Sequence, residues 1–540
     1  MNRTVVLNVV GLSQRCIGKH TPAISKFLSN GHAKTIDPAF PAVTCTAQSN
    51  YLTGKTPTHH GIVGNGWYNQ EIAEVTFWKQ PNQTVQGSKI WHDIKGVDKN
   101  FSCAKMFWWY NMYADVDWSA TPRPIYPADG SKHFDIYCWP FNISQELKNE
   151  IGEFPFPCFW GPMAGKQSPA GKPESVSQWI ANSAKWIEEK QKPTLNLVYL
   201  PHLDYNMQRL GPQHKEIEND LIRIDNIVGD LIDFFENRGV QVILLSEYGI
   251  TPVNHPIHLN RIFREKGWLT IKDELGLERL DCGNSKVFAV ADHQVAHVYI
   301  KDSSIESQVR SLLESTPGID SVWGDNEKKE KGIYHKRAGN LVVTSNENSW
   351  FTYYYWLNDK LAPDFARCVD IHRKPGYDPV ELFKDQIRGS MPRVMLNLLK
   401  KKFGFRMLMD IIPLDASLVK GSHGCRPKNK EDWPMIISKK EIHNNTFETL
   451  SSVILHLIQS GVEMELNYDL IESFIKNNPI KDSQEDIELS NREKKFFWVG
   501  PQKTGKKIFY DGKKECFKKK RGGGGGGGFK RWEGGKLKKK

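Results

Sequence analysis

Several groups of residues in this sequence have the types and spacing that chemistry uses. Thr35-Ile-Asp-Pro-Ala-Phe-Pro-Ala-Val-Thr-Cys-Thr46 carries a hydroxyl at Thr44 and runs on through Thr53-Gly-Lys55 to His59-His-Gly-Ile-Val-Gly-Asn65. A threonine hydroxyl is a weak nucleophile that needs a base or a metal to activate it; taken alone, Thr44 reads as an ordinary helix cap. Imidazoles and carboxylates also recur at short spacing: Asp292-His293 with His297, Asp370-Ile-His372, and His255 with His258 after Glu247. On a strand His293 and His297 would share a face, as would Asp370 and His372, so each pair could take a metal. Paired surface histidines without metal are the plainer reading. The clusters Phe107-Trp-Trp-Tyr110 and Trp350 to Trp356 could wall a pocket for an aromatic or terpenoid-like group, with core packing the default for Phe107 and Trp108. Tyr353, Tyr354 and Tyr355 should alternate faces, leaving at least one exposed or lining a cleft. Arg123 and Arg373-Lys374 could meet an anionic group or simply face solvent.

The elements that must position these groups alternate between strand-like and helix-like runs. Val5–Leu12 is almost wholly apolar, as a buried parallel strand is. Thr21–Ser29 follows with helical spacing behind a Thr-Pro start. Glu174–Lys190 reads as a helix and Thr194–Leu200 as the next strand. Glu216–Asn237 carries one apolar stripe from Ile217 to Phe235, and Val240–Ser246 is a further buried strand. This alternation predicts an α/β fold with a doubly wound, mostly parallel sheet, helices on both faces and ligands beyond the carboxyl ends of the strands. Two strand ends are then of interest: Pro201-His-Leu-Asp204 after the second and Glu247-Tyr-Gly249 after the third. Singly, such residues more often cap helices or bend loops.

The order of residues from Phe40 to Asn65 resembles the type I phosphodiesterase/nucleotide pyrophosphatase family of the alkaline-phosphatase superfamily. That family reads roughly F-P-x-x-T, then T-G, then H-G-I-x-x-N. The resemblance implies an alkaline-phosphatase-like fold, Thr44 as nucleophile at a helix start whose dipole favours a phosphate, and Asn65 as donor to a phosphoryl oxygen. It extends over roughly residues 1–440. Ile257-His-Leu-Asn260 through Gly267-Trp-Leu269 matches an LN…G-x-L segment. Gly421-Ser-His-Gly424 matches the closing H-G motif and puts His423 at a metal-ligand position. Asp204, seven residues before Gly211-Pro212, falls on a second ligand position.

Departures from the family pattern fall on the metal ligands. The family holds two metals with three Asp and three His. Here the first aspartate is Val10, the histidine four residues after Asp204 is Gln208, and the Asp-His-Gly loop is Glu247-Tyr248-Gly249. Asp204, Glu247 and His423 therefore remain as the metal set, with Gln208 and Tyr248 expected to touch substrate. Neither valine nor tyrosine replaces a zinc donor easily. Three expectations follow: ligands relocated to Asp292, His293, His297, Asp370 and His372; an enzyme with one metal (zinc, manganese or magnesium) or none; or a phosphoester-binding protein that has lost hydrolysis. The implied partner is a small-molecule phosphoester.

Organisation and charge narrow the choice. Residues 1–266 and 410–460 read as the core, ending in an amphipathic helix over Phe447–Ile458. Residues 267–409, with a strand pair over Ala289–Ile300, read as an inserted cap, and 461–540 as a basic, Gly/Lys-rich tail expected to be disordered. The 540 residues hold 73 Lys+Arg and 62 Asp+Glu, a net +11. Residues 491–540 contribute 18 basic and 4 acidic residues, +14, leaving −3 for the first 490. The positive charge thus belongs to the tail, where Gly522–Gly528 is a run of seven glycines. Gly500-Pro-Gln-Lys-Thr-Gly-Lys506 imitates a phosphate loop, yet Lys507 stands where Ser/Thr should and no strand precedes it. The tail has no recognition module, so specific nucleic-acid binding is not expected. No apolar run reaches the length of a membrane span and no signal-type leader is evident. Nine dispersed cysteines without a C-x-x-C pair suit a reduced, cytoplasmic or organellar-stroma setting.

Overall fold

Five short strands, most of them rich in apolar residues, form the parallel centre of an eight-stranded sheet. The computed structural model describes residues 2–167, 175–405, 407–441, and residues 510, 511, 514 and 515. The expected helix over Phe447–Ile458 and the phosphate-loop-like segment lie outside the described residues. The sheet strands are β1 (Thr4–Val9), β2 (His32–Thr35), β3 (Cys103–Met106), β4 (Trp118–Ile125), β5 (His133–Trp139), β6 (Leu195–Leu200), β7 (Gln241–Leu245) and, from the end of the chain, Met435–Ser438. β1 lies at the centre, parallel to both β6 and β7; β3 pairs parallel with β6, and β4 with β3. β5, Met435–Ser438 and β2 complete the edges antiparallel. Every residue of β1 and β6 is buried, which is why both read as mostly apolar runs with no alternation, the polar Thr4, Asn8 and Asn196 among them being buried too.

Helices cover the sheet as the periodicity predicts. α1 (Pro22–Ser29) has proline in its first turn. Thr44–Thr53 forms α2, which Gly54 ends at φ 65°. Val176–Gln191 forms α3, whose first turn is capped by the Ser175 hydroxyl accepting from the Gln178 amide. α4 (His202–Leu210) follows β6 directly, and α5 (Ile217–Glu236) buries Ile217, Ile224, Val228, Leu231 and Phe235. This is the doubly wound α/β architecture the alternation implied.

Between these core segments lies a second, four-stranded sheet built from β8 (Val287–Asp292), β9 (Val295–Ile300), β10 (Ile319–Trp323) and β11 (Leu341–Ser345), in the order β8-β9-β11-β10. Its strands pair antiparallel. The aromatic block departs from expectation. Only Ser349–Phe351 is strand, and the chain then runs irregularly, so alternation of faces does not hold. Tyr353, Tyr354 and Tyr355 are all buried with Trp350 and Trp356 in the core of this region.

Contact density divides the chain into Met1–Glu463 and Met464–Lys540. The first unit holds everything above. Of the second, the described residues are a two-stranded pairing of Tyr510–Asp511 with Lys514–Glu515.

Candidate active site

A cavity of about 480 Å³, counting its open mouth, opens beyond the carboxyl ends of the parallel strands. Thr44, the first residue of α2, lines it. So do Asp204 in the first turn of α4, Tyr248 after β7, and His423 after the short strand Gly421–Ser422. His293, from the turn between β8 and β9, completes the polar side. The remaining wall is aromatic: Trp78, Trp109, Phe159, Trp160, Tyr199, Tyr205 and Tyr377, with Ile371. The sequence reading missed all of these but Trp109. Most come from irregular segments, where no period marks a side chain as inward-facing.

Tyr248 is the centre of the polar cluster. Its hydroxyl lies 3.1 Å from Thr44 Oγ1 and donates to Asp204 Oδ1 at 3.2 Å. Asp204 Oδ2 accepts from Gln208 Nε2 at 2.9 Å, and Gln208 Oε1 accepts from the Tyr377 hydroxyl at 2.9 Å. Gln208 therefore orients Asp204 and does not itself line the cavity. Four rings follow in sequence: Tyr248 stacks on His423 at 3.6 Å, His423 meets His293 at 3.8 Å with the rings tilted by 37°, and His293 stacks on Tyr377 at 3.5 Å. His423 donates Nδ1–H to the Ala42 carbonyl, and His293 holds Asp292 through Nδ1 at 2.8 Å. Each imidazole keeps a buried Nε2 without a hydrogen-bond partner.

Glu247 lies on the Thr44 side of this cluster and is held mainly by amides. Oε1 accepts from Asn8 Nδ2 at 2.5 Å and from Gln48 Nε2 at 2.6 Å. Gln48 in turn accepts from the Trp109 amide, tying the carboxyl to the aromatic wall. Burial governs the protonation of the whole group. It pushes Asp204 up to about 7, against the pull of hydrogen bonds from Tyr248 and Gln208. It pushes Glu247 up to about 8, despite its amide donors, and holds both His293 and His423 well below the usual imidazole range. The sequence did carry a signal for this arrangement that reading overlooked: Asn8 is a lone polar residue on a fully buried strand.

Asn65 is committed within the protein. Its Oδ1 accepts from the Cys45 amide at the start of α2, while its backbone N–H and Nδ2 both donate to Asp292. It braces the Thr44 helix and is not among the cavity-lining residues. Burial raises Asp292 to about 6 against those hydrogen bonds.

The relocated metal set does not assemble. His293 sits in the β-hairpin turn at φ 61°, not on a strand, so the shared face with His297 is lost. His297 is instead tied to the Val63 carbonyl and the Gly339 amide. Asp370 and His372 lie in an irregular segment, where His372 approaches the Phe77 carbonyl at 3.4 Å and Asp370 meets Arg373. Lys374 is buried between Asp378 and Glu381, 2.7 Å from each.

The metal pair implied by the resemblance fares no better. His423 Nε2 and Asp204 Oδ1 come within 3.7 Å, but Glu247 is engaged by two amides and Val10 is fully buried. Tyr248 joins Thr44 to Asp204 directly. Among the described residues no group of three or more His, Cys, Asp or Glu is arranged to hold a metal ion. These residues do not fit the two-metal site.

The type I phosphodiesterase/nucleotide pyrophosphatase model matches residues 4–378. An uncharacterized pyrophosphatase/phosphodiesterase of Schizosaccharomyces pombe is 24% identical over 248 residues, 43% of this chain and 42% of that protein. Rat ectonucleotide pyrophosphatase/phosphodiesterase family member 7 is 22% identical over 293 residues, 52% of this chain and 58% of that one. The chain thus spans about half the length of the curated relatives it matches. Among solved structures, inactive murine ectonucleotide pyrophosphatase/phosphodiesterase 5 in complex with AMP superposes with a TM-score of 0.51 at 15% identity, over 85% of this chain and 95% of that one. Phosphonoacetate hydrolase of Sinorhizobium meliloti, in complex with phosphonoformate, gives 0.51 at 12% identity, over 84% and 96%. At these identities the likeness is one of fold. The match of the family model over most of the chain places it in the type I phosphodiesterase/nucleotide pyrophosphatase family.

Proposed function

We propose that this chain hydrolyses a small phosphodiester through Thr44 by a route that needs no divalent metal. The observation that carries the reading is the continuous hydrogen-bonded line from Thr44 Oγ1 through the Tyr248 hydroxyl to Asp204 Oδ1. Thr44 attacks phosphorus and forms the O–P bond; its proton passes to the Tyr248 oxygen as the phenolic proton passes to the Asp204 carboxylate. The P–O bond to the leaving alcohol breaks, and its oxygen takes up the proton held by Asp204. Water then attacks the phosphothreonine and gives one proton to Asp204, the Thr44–P bond breaks, and that proton returns through Tyr248 to the threonine oxygen. The N-terminal end of α2 favours the negative charge of the phosphoryl group, and the unpartnered imidazole Nε2 atoms accept hydrogen bonds from water, including the water that attacks in the second step.

The same cavity suggests the kind of ester. None of its lining side chains is Lys or Arg, and one is a carboxyl group. A doubly charged monoester would find no countercharge there, whereas a singly charged diester asks for less. The aromatic wall suits an alcohol group that is itself aromatic or apolar.

A panel of aryl phosphodiesters and phosphomonoesters, assayed with chelator and with added Zn, Mn or Mg, tests the reading. Diester turnover indifferent to metal supports it; turnover only with metal counts against it. A second reading has its own supporting observation: the Tyr248 hydroxyl already occupies the link between Thr44 and Asp204. A phosphoester-binding protein would then bind a non-hydrolysable phosphonate diester and turn over no diester under any condition.

A further inference from the structure

One helix, late in the chain, wears its apolar face outward. Met391–Lys402, here α6, exposes Met391, Met395, Leu398 and Leu399, the first two at about 60%. Its buried side chain is a polar one, Asn397. The exposed stripe continues through Phe403 and Phe405, both near 70%, to Leu408. Ordinary surface helices bury such a stripe and expose the polar face. This inversion is held in place on the polar side, where Arg393 clasps Asp410 at 2.7 and 2.9 Å and Arg388 meets the same carboxylate at 2.6 Å.

Charge marks the same segment. Residues 384–410 carry seven Lys and Arg against two Asp, net +5, on a body that is otherwise slightly acidic. Lys384, Lys400 and Lys402 are exposed beside the apolar stripe. Large apolar side chains rimmed by lysines are the surface an anionic bilayer receives: the stripe enters the headgroup boundary and the long lysine stems reach the lipid phosphates. A second copy of the chain would set one +5 face against another.

We propose that α6 and the segment that follows it, through Leu408, dock this protein on an anionic membrane surface, lying in the interface without crossing it. Among the described residues no helix is long and apolar enough to span a membrane. The inference is independent of the reaction proposed above.

Co-sedimentation of the full chain with vesicles tests it, using phosphatidylcholine alone and a phosphatidylcholine/phosphatidylglycerol mixture; the basic tail is the same in every variant, so differences between variants report the α6 stripe. Wild type should bind the anionic mixture, and Met395→Glu/Leu399→Glu should bind it roughly tenfold more weakly. Both residues are at least half exposed, so the melting temperature should not move. Met391→Lys/Met395→Lys separates the two components, because it adds positive charge while removing insertion; weaker binding supports docking of the apolar stripe. Absence of wild-type binding overturns the proposal, as does binding unchanged by both pairs of substitutions. A dimer in light scattering that the glutamate pair dissolves would make the face an interface between copies, and that too overturns it.

Discussion

The two sides of the cavity have different histories written in their side chains. On the Thr44 side, the loop from Phe40 to Asn65 keeps the family order, and the helix it opens is braced by Asn65 and Asp292. On the opposite side, beyond β1, β6 and β7, the positions where the resemblance expects metal ligands hold Val10, Gln208, Glu247 and Tyr248. What replaces the ligands is not empty space but a hydrogen-bonded polar network, running from Asn8 and Gln48 through Glu247, and from Tyr248 through Asp204 and Gln208 to Tyr377. A buried carboxyl group whose charge no metal neutralises is best kept as the neutral acid, and that is how burial poises Glu247. The difference teaches that this side is held by a protein-internal polar network, which still leaves Glu247 Oε2 and the Nε2 atoms of His293 and His423 without partners.

Several substitutions can break or sharpen this contrast. The largest effect is expected on the conserved-order side: Thr44→Ala should lower diester turnover at least about 10³-fold, measured as kcat, with the circular dichroism spectrum unchanged. Turnover retained by that variant would remove Thr44 as the nucleophile. Next, Tyr248→Phe keeps the ring stacked on His423 and deletes the hydroxyl between Thr44 and Asp204. It should cost about 10²-fold in kcat with little change in KM; a loss confined to KM would make Tyr248 a binding group only.

Glu247→Gln should be tolerated in activity to within a few-fold, since a neutral amide resembles the neutral acid. Its signature is in stability. Glu247 is raised from 4.5 to about 8 in the folded chain, so its contribution is complete below about 4.5 and is lost as pH rises toward 8. Urea midpoints of wild type should therefore fall relative to those of the variant across that window, by an amount on the order of a few kcal/mol. A metal-binding carboxylate would instead make the variant inactive. The smallest effect concerns Lys105, which donates to the Trp109 and Tyr110 carbonyls behind the aromatic wall and is lowered from 10.5 to about 7 by burial. The unfolded chain holds more protons between those values, so wild type gains stability with rising pH from about 7 to 10.5, and Lys105→Met should lack that gain in the same urea titration.

Much of this was legible in the sequence, and where it was not, the reason is physical. Continuous apolar runs at Val5–Leu12 and Val240–Ser246 could hardly be anything but buried strands, and the stripe of Glu216–Asn237 could only face the sheet. Thr44, Asp204, Tyr248 and His423 were found because local order in the chain marks them. The tie between Tyr248 and Asp204 could not be read, because it joins residues 44 positions apart through a phenol that has no ligand pattern. Period-based reasoning failed where the period stops: His293 lies in a turn, and Tyr353 to Tyr355 run through irregular backbone into the core. No element was expected over Met391–Lys402, and a helical period there would report two faces without saying which one points outward.

The central claim is that a polar network, not a pair of metal ions, works opposite Thr44. Metal content and diester turnover of the same purified full-length preparation, before and after exhaustive treatment with a chelator, test it most directly. The account predicts far less than one equivalent of Zn, Mn or Mg and turnover unchanged by the chelator. Stoichiometric metal, with turnover abolished by its removal and restored by its return, would contradict it.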